Sequence, residues 1–260
     1  MDNITRNALS RLNQIFYSNI SVSFDKSRKK SWGTWEKLQN IIEGWFIRNK
    51  KLEVLDLGCG NGRFLDFLNR KFVNDIEYEG IDLDTPLFIN AKNLKLNNHI
   101  NASFNALDIL EYLKIKKKYK VIVLFGIMHH IPGRVFRKEL LLHLGSRLYK
   151  NGLIIYSTWD FLEYGRFKKL IIDTKLSLKI SYSLTGISIK KSKLEKNDYF
   201  LSWDKNDKYL RYCHYFDENE KKYLISSLKE AGYALVSRIK GTGSNDRYNE
   251  YFIIRNLRPI

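Results

Sequence analysis

Apolar positions divide this chain into two rhythms. From Ile4 to Phe16, and again from Ser31 to Ile47 through Trp32, Trp35, Leu38, Ile41, Ile42 and Trp45, they recur at helical spacing. That spacing predicts two helices on either side of a basic loop, SFDKSRKKSW. From Leu52 onward, short apolar runs alternate with helical segments. Strands are expected at Glu53–Leu57, Ile76–Ile81, Ala102–Phe104, Lys120–Phe125 and Leu153–Ser157, and helices at Arg63–Lys71, Pro86–Leu96 and about Pro132–Tyr149. The last of these should stop at Lys150-Asn151-Gly152, where glycine can take the left-handed cap conformation. Strand–helix alternation is the mark of a parallel sheet covered on both faces. The rhythm breaks after Asp160. Residues 161 to about 215 are rich in Lys, Tyr and Ser with weak periodicity, and read as an insert. A helix over Glu218–Ala231 follows, then strands near Tyr233–Lys240 and Glu250–Arg255 that can pair as an antiparallel hairpin. The expected fold is α/β: a seven-stranded, mostly parallel sheet with one antiparallel strand. Its segments are a helical cap (1–50), a core (51–160), an insert (161–216) and a closing helix and strand pair (217–260).

Composition narrows the class. With 44% hydrophobic and 14% aromatic residues among 260, the chain can bury a core. Its longest apolar run, Val121 to Met128, falls far short of the roughly 20 residues that a membrane span needs. The first residues show no compact apolar stretch followed by a small-residue cleavage site, so secretion is not expected. Two cysteines, Cys59 and Cys213, supply neither a disulfide framework nor a zinc quartet, so a reducing cytoplasm is expected and no metal. The net charge of +17 has two readings: a polyanionic partner such as nucleic acid or an anionic membrane surface, or lysine-rich coding without a binding role.

The chemistry concentrates in VLDLGCGNGRFLDFL, residues 54–68. An apolar strand ends at Asp56, a loop carries Gly58, Cys59, Gly60, Asn61 and Gly62, and an amphipathic helix begins at once. Glycines let the backbone turn sharply and a ligand approach closely, and the helix N-terminus offers unpaired N–H groups. The spacing is neither the G-x-G-x-x-G of dinucleotide sites nor a phosphate loop ending in GK[ST]. Asp56 can hold a ligand ammonium, which would be wrong beside a pyrophosphate. Asp82, followed by Leu83 at the tip of the second strand, can accept both hydroxyls of a ribose. Asp108 can accept from an adenine amino group, with Ile109 against the ring. Any one of these acids alone could equally be a helix cap. Together they suit an adenosine cofactor with an amino-acid tail.

With these motifs the chain resembles the class I S-adenosylmethionine-dependent methyltransferases over about residues 50–158. The resemblance implies S-adenosylmethionine as cofactor, a Rossmann-like sheet, and a cofactor pocket that also includes Phe125. Three further segments resemble the eukaryotic-type tRNA wobble-uridine methyltransferases, which esterify a carboxymethyl group on uracil. They are SFDKSRKKSW (23–32), GIMHHI (126–131), and DYFLSW (198–203) followed by RYCHYF (211–216). Gly33 stands where that family usually has proline, and Leu201-Ser202-Trp203 where it often has Val-Pro-Trp. This second resemblance implies tRNA, at its anticodon loop, as partner, and a small zinc-binding activator subunit.

On that reading Arg28, Lys29, Lys30, Trp32, Trp203, Arg211 and His214 are the candidate substrate or RNA contacts, with Arg211 and His214 on one rim of the pocket. His129 and His130 are candidates for positioning; no catalytic base is assigned. None is required, because a carboxylate with a pKa of about 4 is already ionised at neutral pH. Both flanking segments are basic: residues 1–51 hold ten Lys/Arg against four Asp/Glu, and 160–216 hold twelve against seven. Aromatics interleave with the second group, the combination that recognises unstacked RNA bases. Two other functions remain open: a small-molecule or quinone/lipid methyltransferase of the same fold, and a non-catalytic RNA-binding or partner subunit.

Overall fold

The structure is a computed structural model that describes residues 1–27, 31–46, 51–73, 75–83, 85–203, 206–243 and 246–259. The basic triplet Arg28-Lys29-Lys30 lies outside the described residues. In chain order the elements are α1 (Asn3–Ser27), α2 (Thr34–Phe46), β1 (Lys51–Leu57), α3 (Arg63–Lys71), β2 (Asp75–Asp82), α4 (Pro86–Lys92), β3 (Ile100–Ala106), β4 (Tyr119–Leu124), α5 (Arg134–Ser146), β5 (Leu148–Trp159), α6 (Gly165–Lys168), β6 (Ile171–Ile172), α7 (Thr174–Thr185), β7 (Asp198–Trp203), β8 (Asn206–His214), α8 (Glu218–Glu230), β9 (Tyr233–Lys240) and β10 (Asn249–Asn256).

Seven strands form one sheet in the order β3-β2-β1-β4-β5-β10-β9. β10 runs antiparallel to both neighbours, and the other pairings are parallel. The sheet is therefore mostly parallel with one antiparallel strand. β9 and β10 do pair, but β10 inserts beside β5 and leaves β9 at the edge.

Alternation along the central strands builds the two core faces. Val121 and Val123 of β4 point toward Trp35, Leu38 and Phe64 of α2 and α3. Ile122 and Leu124 point the other way, toward Leu140, Leu141 and Leu144 of α5 and Leu224 and Leu228 of α8. This two-sided burial explains why β4 reads as a continuous apolar run. The open end of β1, β2 and β4 is thereby fixed between two helical layers.

Several boundaries differ from the sequence reading. α1 runs on to Ser27 instead of ending at Phe16, so part of the expected loop is helix. α4 stops at Lys92, and α5 spans Arg134–Ser146. β5 starts at Leu148 with a register irregularity against β4. There the left-handed residue is Asn151 (φ 62°), not Gly152, which instead packs against the Lys120 and Tyr149 carbonyls. The 161–216 segment is more ordered than its weak periodicity suggested. α7, through Leu178 and Leu184, and the antiparallel sheet β6-β7-β8, through Phe200, Leu210 and Tyr212, pack on Ala8, Leu9 and Leu12 of α1, with Ile189 after α7 in the same cluster. Among the described residues no helix is long and apolar enough to cross a membrane.

Candidate active site

A cavity of about 450 Å³ opens at the carboxyl ends of β1, β2 and β4, roofed by α1 and by residues of the 161–216 segment. This is where open α/β sheets hold ligands. The turn after β1 shapes its floor. Gly58 (φ 84°) and Cys59 donate their N–H groups to the Ile81 carbonyl at 2.8 and 3.2 Å, tying the loop to β2. Gly60 (φ 55°) donates to Asp82 Oδ2 at 2.6 Å, and nothing lies within 4 Å of where its side chain would project. A larger residue there would be strained and would fill the cradle.

Asp82 also accepts from the Leu83 N–H at 2.7 Å through Oδ1. A carboxylate accepts up to about four hydrogen bonds, so capacity for two hydroxyl donors remains. Asp56 is buried and accepts from the Tyr78 hydroxyl at 2.7 Å. Burial pushes its carboxyl up to about 7, against the Tyr78 bond, which lowers it. Burial likewise raises Asp82 to about 6, opposed by the two backbone bonds. Asp108 accepts from the Leu110 N–H at 2.9 Å and from Ser10 at 3.3 Å. An open glycine turn, two acids with spare acceptor capacity and a third reached from α1 fit an adenosine cofactor with a cationic tail.

Of the residues singled out in the sequence, Trp32, Asp56, Gly58, Cys59, Gly60, Asn61, Asp82, Leu83, Asp108, Ile109, Phe125, His129, His130, Trp203 and Arg211 line this cavity. Gly62 does not. It caps α3 at φ 76°, and a Cβ there would come within 2.7 Å of Leu94, so its role is packing. His214 does not line the cavity either. It is buried between Asp198 and Glu220, 2.7 Å from each, with an Arg137 Nη 3.0 Å away. Burial and Arg137 oppose its charge, yet the two carboxylate bonds hold its pKa above the ordinary value. The expected pairing of Arg211 and His214 on one rim is thus corrected: three residues apart in a strand, they point to opposite faces.

Arg211 is 5% exposed. Its guanidinium lies 5.1 Å from the Phe16 ring, 5.1 Å from Trp159 and 5.8 Å from Trp203. Its Nε has no hydrogen-bond partner, and among the described residues no carboxylate pairs with it. Beside it, burial drives both histidines toward the neutral form, His130 down to about 3, with the Arg211 charge adding to the effect. His130 Nδ1 faces the Tyr212 carbonyl at 2.9 Å and so carries the proton; Nε2 then accepts from the Tyr17 hydroxyl at 2.6 Å. His129 Nδ1 is buried without a partner.

The sequence reading missed Ser10, Asn13 and Tyr17, which α1 turns toward the cavity. Polar residues at i, i+3 and i+7 on an otherwise apolar helix face were the available signal. Asn13 accepts from the Tyr212 N–H at 2.8 Å, joining α1 to β8. Trp159, Arg166, Phe167 and Tyr248 were missed too, and no local motif marks them.

A family model described as a methyltransferase domain matches residues 28–238. Malonyl-[acyl-carrier protein] O-methyltransferase 2 of Ilyobacter polytropus is 28% identical over 157 residues, which is 60% of this chain and 58% of that protein. The chain thus spans less than two thirds of that relative's length. Malonyl-[acyl-carrier protein] O-methyltransferase 1 of the same organism is 24% identical over 235 residues, 90% of this chain and 78% of that protein. Magnesium protoporphyrin IX methyltransferase (ChlM) from Synechocystis PCC 6803, with bound SAH, shares the fold. Its TM-score is 0.55 at 14% identity, covering 95% of this chain and 99% of that one.

Proposed function

The chain belongs to the methyltransferase-domain family, with S-adenosylmethionine as its cofactor, and we propose that its methyl acceptor is a carboxylate. The observation that carries this reading is Arg211, a buried guanidinium without an acidic partner inside the cavity. A desolvated cation is costly unless an anion completes it, and its planar fork matches a carboxylate in two parallel bonds.

When bound, S-adenosylmethionine supplies an activated sulfonium methyl. The residues proposed to hold it are Asp82 for the ribose hydroxyls, Asp108 and Ile109 for the adenine, and Asp56 with the Gly58–Gly60 turn for the amino-acid tail. Arg211 fixes the acceptor carboxylate, and Trp159, Trp203 and Phe16 exclude water around it. His130, bonded at both ring nitrogens, holds Tyr17 and β8 in place, and no residue needs to remove a proton. Catalysis then rests on alignment and desolvation.

The preferred acceptor is the carboxymethyl group of a modified uridine in RNA. The segments around His129, Trp203 and Arg211, the aromatic cavity wall and the +17 charge support it. A second reading is favoured by the two malonyl-carrier relatives: a malonyl thioester also presents a carboxylate on a methylene.

The test supplies tritiated methyl donor with bulk tRNA or with a malonyl thioester. Ribonuclease-sensitive label supports the preferred acceptor, and label on the thioester alone supports the second. In either case Arg211→Gln should lower acceptor kcat/KM by about 10- to 100-fold while leaving cofactor affinity nearly unchanged. Equal acceptor kinetics in wild type and Arg211→Gln would remove the basis of the carboxylate reading.

A further inference from the structure

A second cationic feature, apart from the cofactor turn, borders the same cavity, whose lining includes Arg166 and Tyr248. Tyr248 is buried, and its hydroxyl oxygen accepts from Arg166 Nη1 at 3.2 Å and from Arg247 Nη2 at 2.9 Å. The two guanidinium nitrogens are therefore no farther apart than the sum of those distances. Both arginines are exposed, and among the described residues neither has a carboxylate partner. Like charges held this close repel one another, and each guanidinium spends one donor of five on a neutral phenol. Two forks converging on one point, with donors to spare and no acid paired with either among the described residues, form a receptor for a multiply charged oxyanion.

The construction behind them is rigid. The Tyr164 ring packs edge-on against Tyr248 at 4.7 Å, and its hydroxyl donates to the Arg247 carbonyl at 3.1 Å. Tyr248 packs against Phe167 at 4.8 Å, Phe167 against Trp159 at 4.8 Å, and Trp159 lies 5.1 Å from the Arg211 guanidinium. A run of three aromatic rings thus links the paired arginines to the lone arginine inside. That sequence of environments reads as a ligand with an anion at each end and a planar apolar body between.

We infer that Arg166 and Arg247, gathered by the Tyr248 hydroxyl, form a phosphate subsite, and that the methyl acceptor is an acid carried on a planar base whose phosphate sits there. The inference rests on the carboxylate reading of Arg211 for the acid end only. The phosphate end stands on its own geometry. It assigns the source as a nucleotide, because the aromatic run between the cations suits a stacked base better than a flexible aliphatic arm.

The experiment titrates the full chain, with S-adenosylmethionine present, with uridine monophosphate, uridine and 4′-phosphopantetheine by calorimetry. Uridine monophosphate should bind wild type at least tenfold more tightly than it binds the double variant Arg166→Gln/Arg247→Gln, while uridine binds both alike. A control variant, Lys168→Gln/Lys169→Gln, removes two neighbouring exposed charges and should leave uridine monophosphate affinity within twofold. Equal loss in the lysine and arginine variants would reduce the site to general surface charge and overturn it, as would equal binding of uridine monophosphate to wild type and the arginine variant. Arginine-dependent binding of 4′-phosphopantetheine without that of uridine monophosphate would overturn the nucleotide assignment. Parallel methyl transfer to 5-carboxymethyluridine monophosphate keeps the two claims separate. Arginine-dependent binding without transfer sinks the acceptor reading, and transfer without arginine dependence sinks the subsite.

Discussion

Asp56, buried, and Asp82, partly buried, place two carboxyls in the cavity where the cofactor is proposed to bind, and their titration carries a readable sign. Burial raises both, to about 7 and about 6, above the ordinary value of about 4. The folded protein therefore holds protons that the unfolded chain releases, and without cofactor its stability should fall as pH rises from about 4 to 7. Hydroxyl and ammonium donors of S-adenosylmethionine favour the ionised carboxylates, so cofactor affinity should rise across pH 6 to 7. Thermal unfolding from pH 5 to 8 with and without S-adenosylmethionine measures both trends. The cofactor-induced rise in Tm should grow with pH, and Asp82→Asn should flatten it. A stabilisation independent of pH would contradict these contacts. At this scale the sequence was most legible where backbone geometry demands a residue type. Gly58, Gly60 and the acids at strand tips are set by turn and register. Arg211 and His214 were misjudged as neighbours because their three-residue spacing matters only once the segment is known to be a strand. Period two then sends Arg211 to the cavity and His214 to the opposite face.

Between elements, buried charge clusters set the geometry of the cavity roof. Arg137 of α5 is fully buried; it donates to Glu220 of α8 and to Glu195 at 2.7 Å each and to the Ile131 carbonyl at 2.8 Å. With His214 and Asp198 it ties α5 and α8 to β7 and β8, and hence to the strand that carries Arg211. Lys221 of α8 similarly bridges Asp160 at 3.1 Å and Glu250 of β10 at 2.8 Å. Truncating one member of a buried cluster leaves the others uncompensated, at about 3–5 kcal/mol. Arg137→Met should therefore lower Tm by roughly 10 °C, read by circular dichroism, and an unchanged Tm would show that the cluster is dispensable. None of this was legible beforehand, because Arg137, Glu195 and Glu220 lie in different elements and carry no local signature. The alternating elements of the central sheet were legible, since each strand shows its own period. The small sheet β6-β7-β8 was not, because β6 has only two residues and one face packs on α1 instead of on a contiguous partner.

At the scale of the whole molecule, a methyltransferase fold is combined with a cavity that buries an arginine among aromatic rings. The sheet supplies the cofactor turn, while α1 and the 161–216 segment close over it and bring Arg211 and Trp203 together with His129 and His130. The +17 charge then has local expression in the buried Arg211 guanidinium and in the exposed Arg166, both of which line the cavity. The central claim is that the transferred methyl ends on a carboxylate oxygen, and the bond formed reports this directly. Tritium transferred from S-adenosylmethionine to the acceptor should be released as volatile methanol by mild alkali, because a methyl ester saponifies. Label that stays on the acceptor through the same treatment, as an N-methyl or ether methyl group would, would contradict the account.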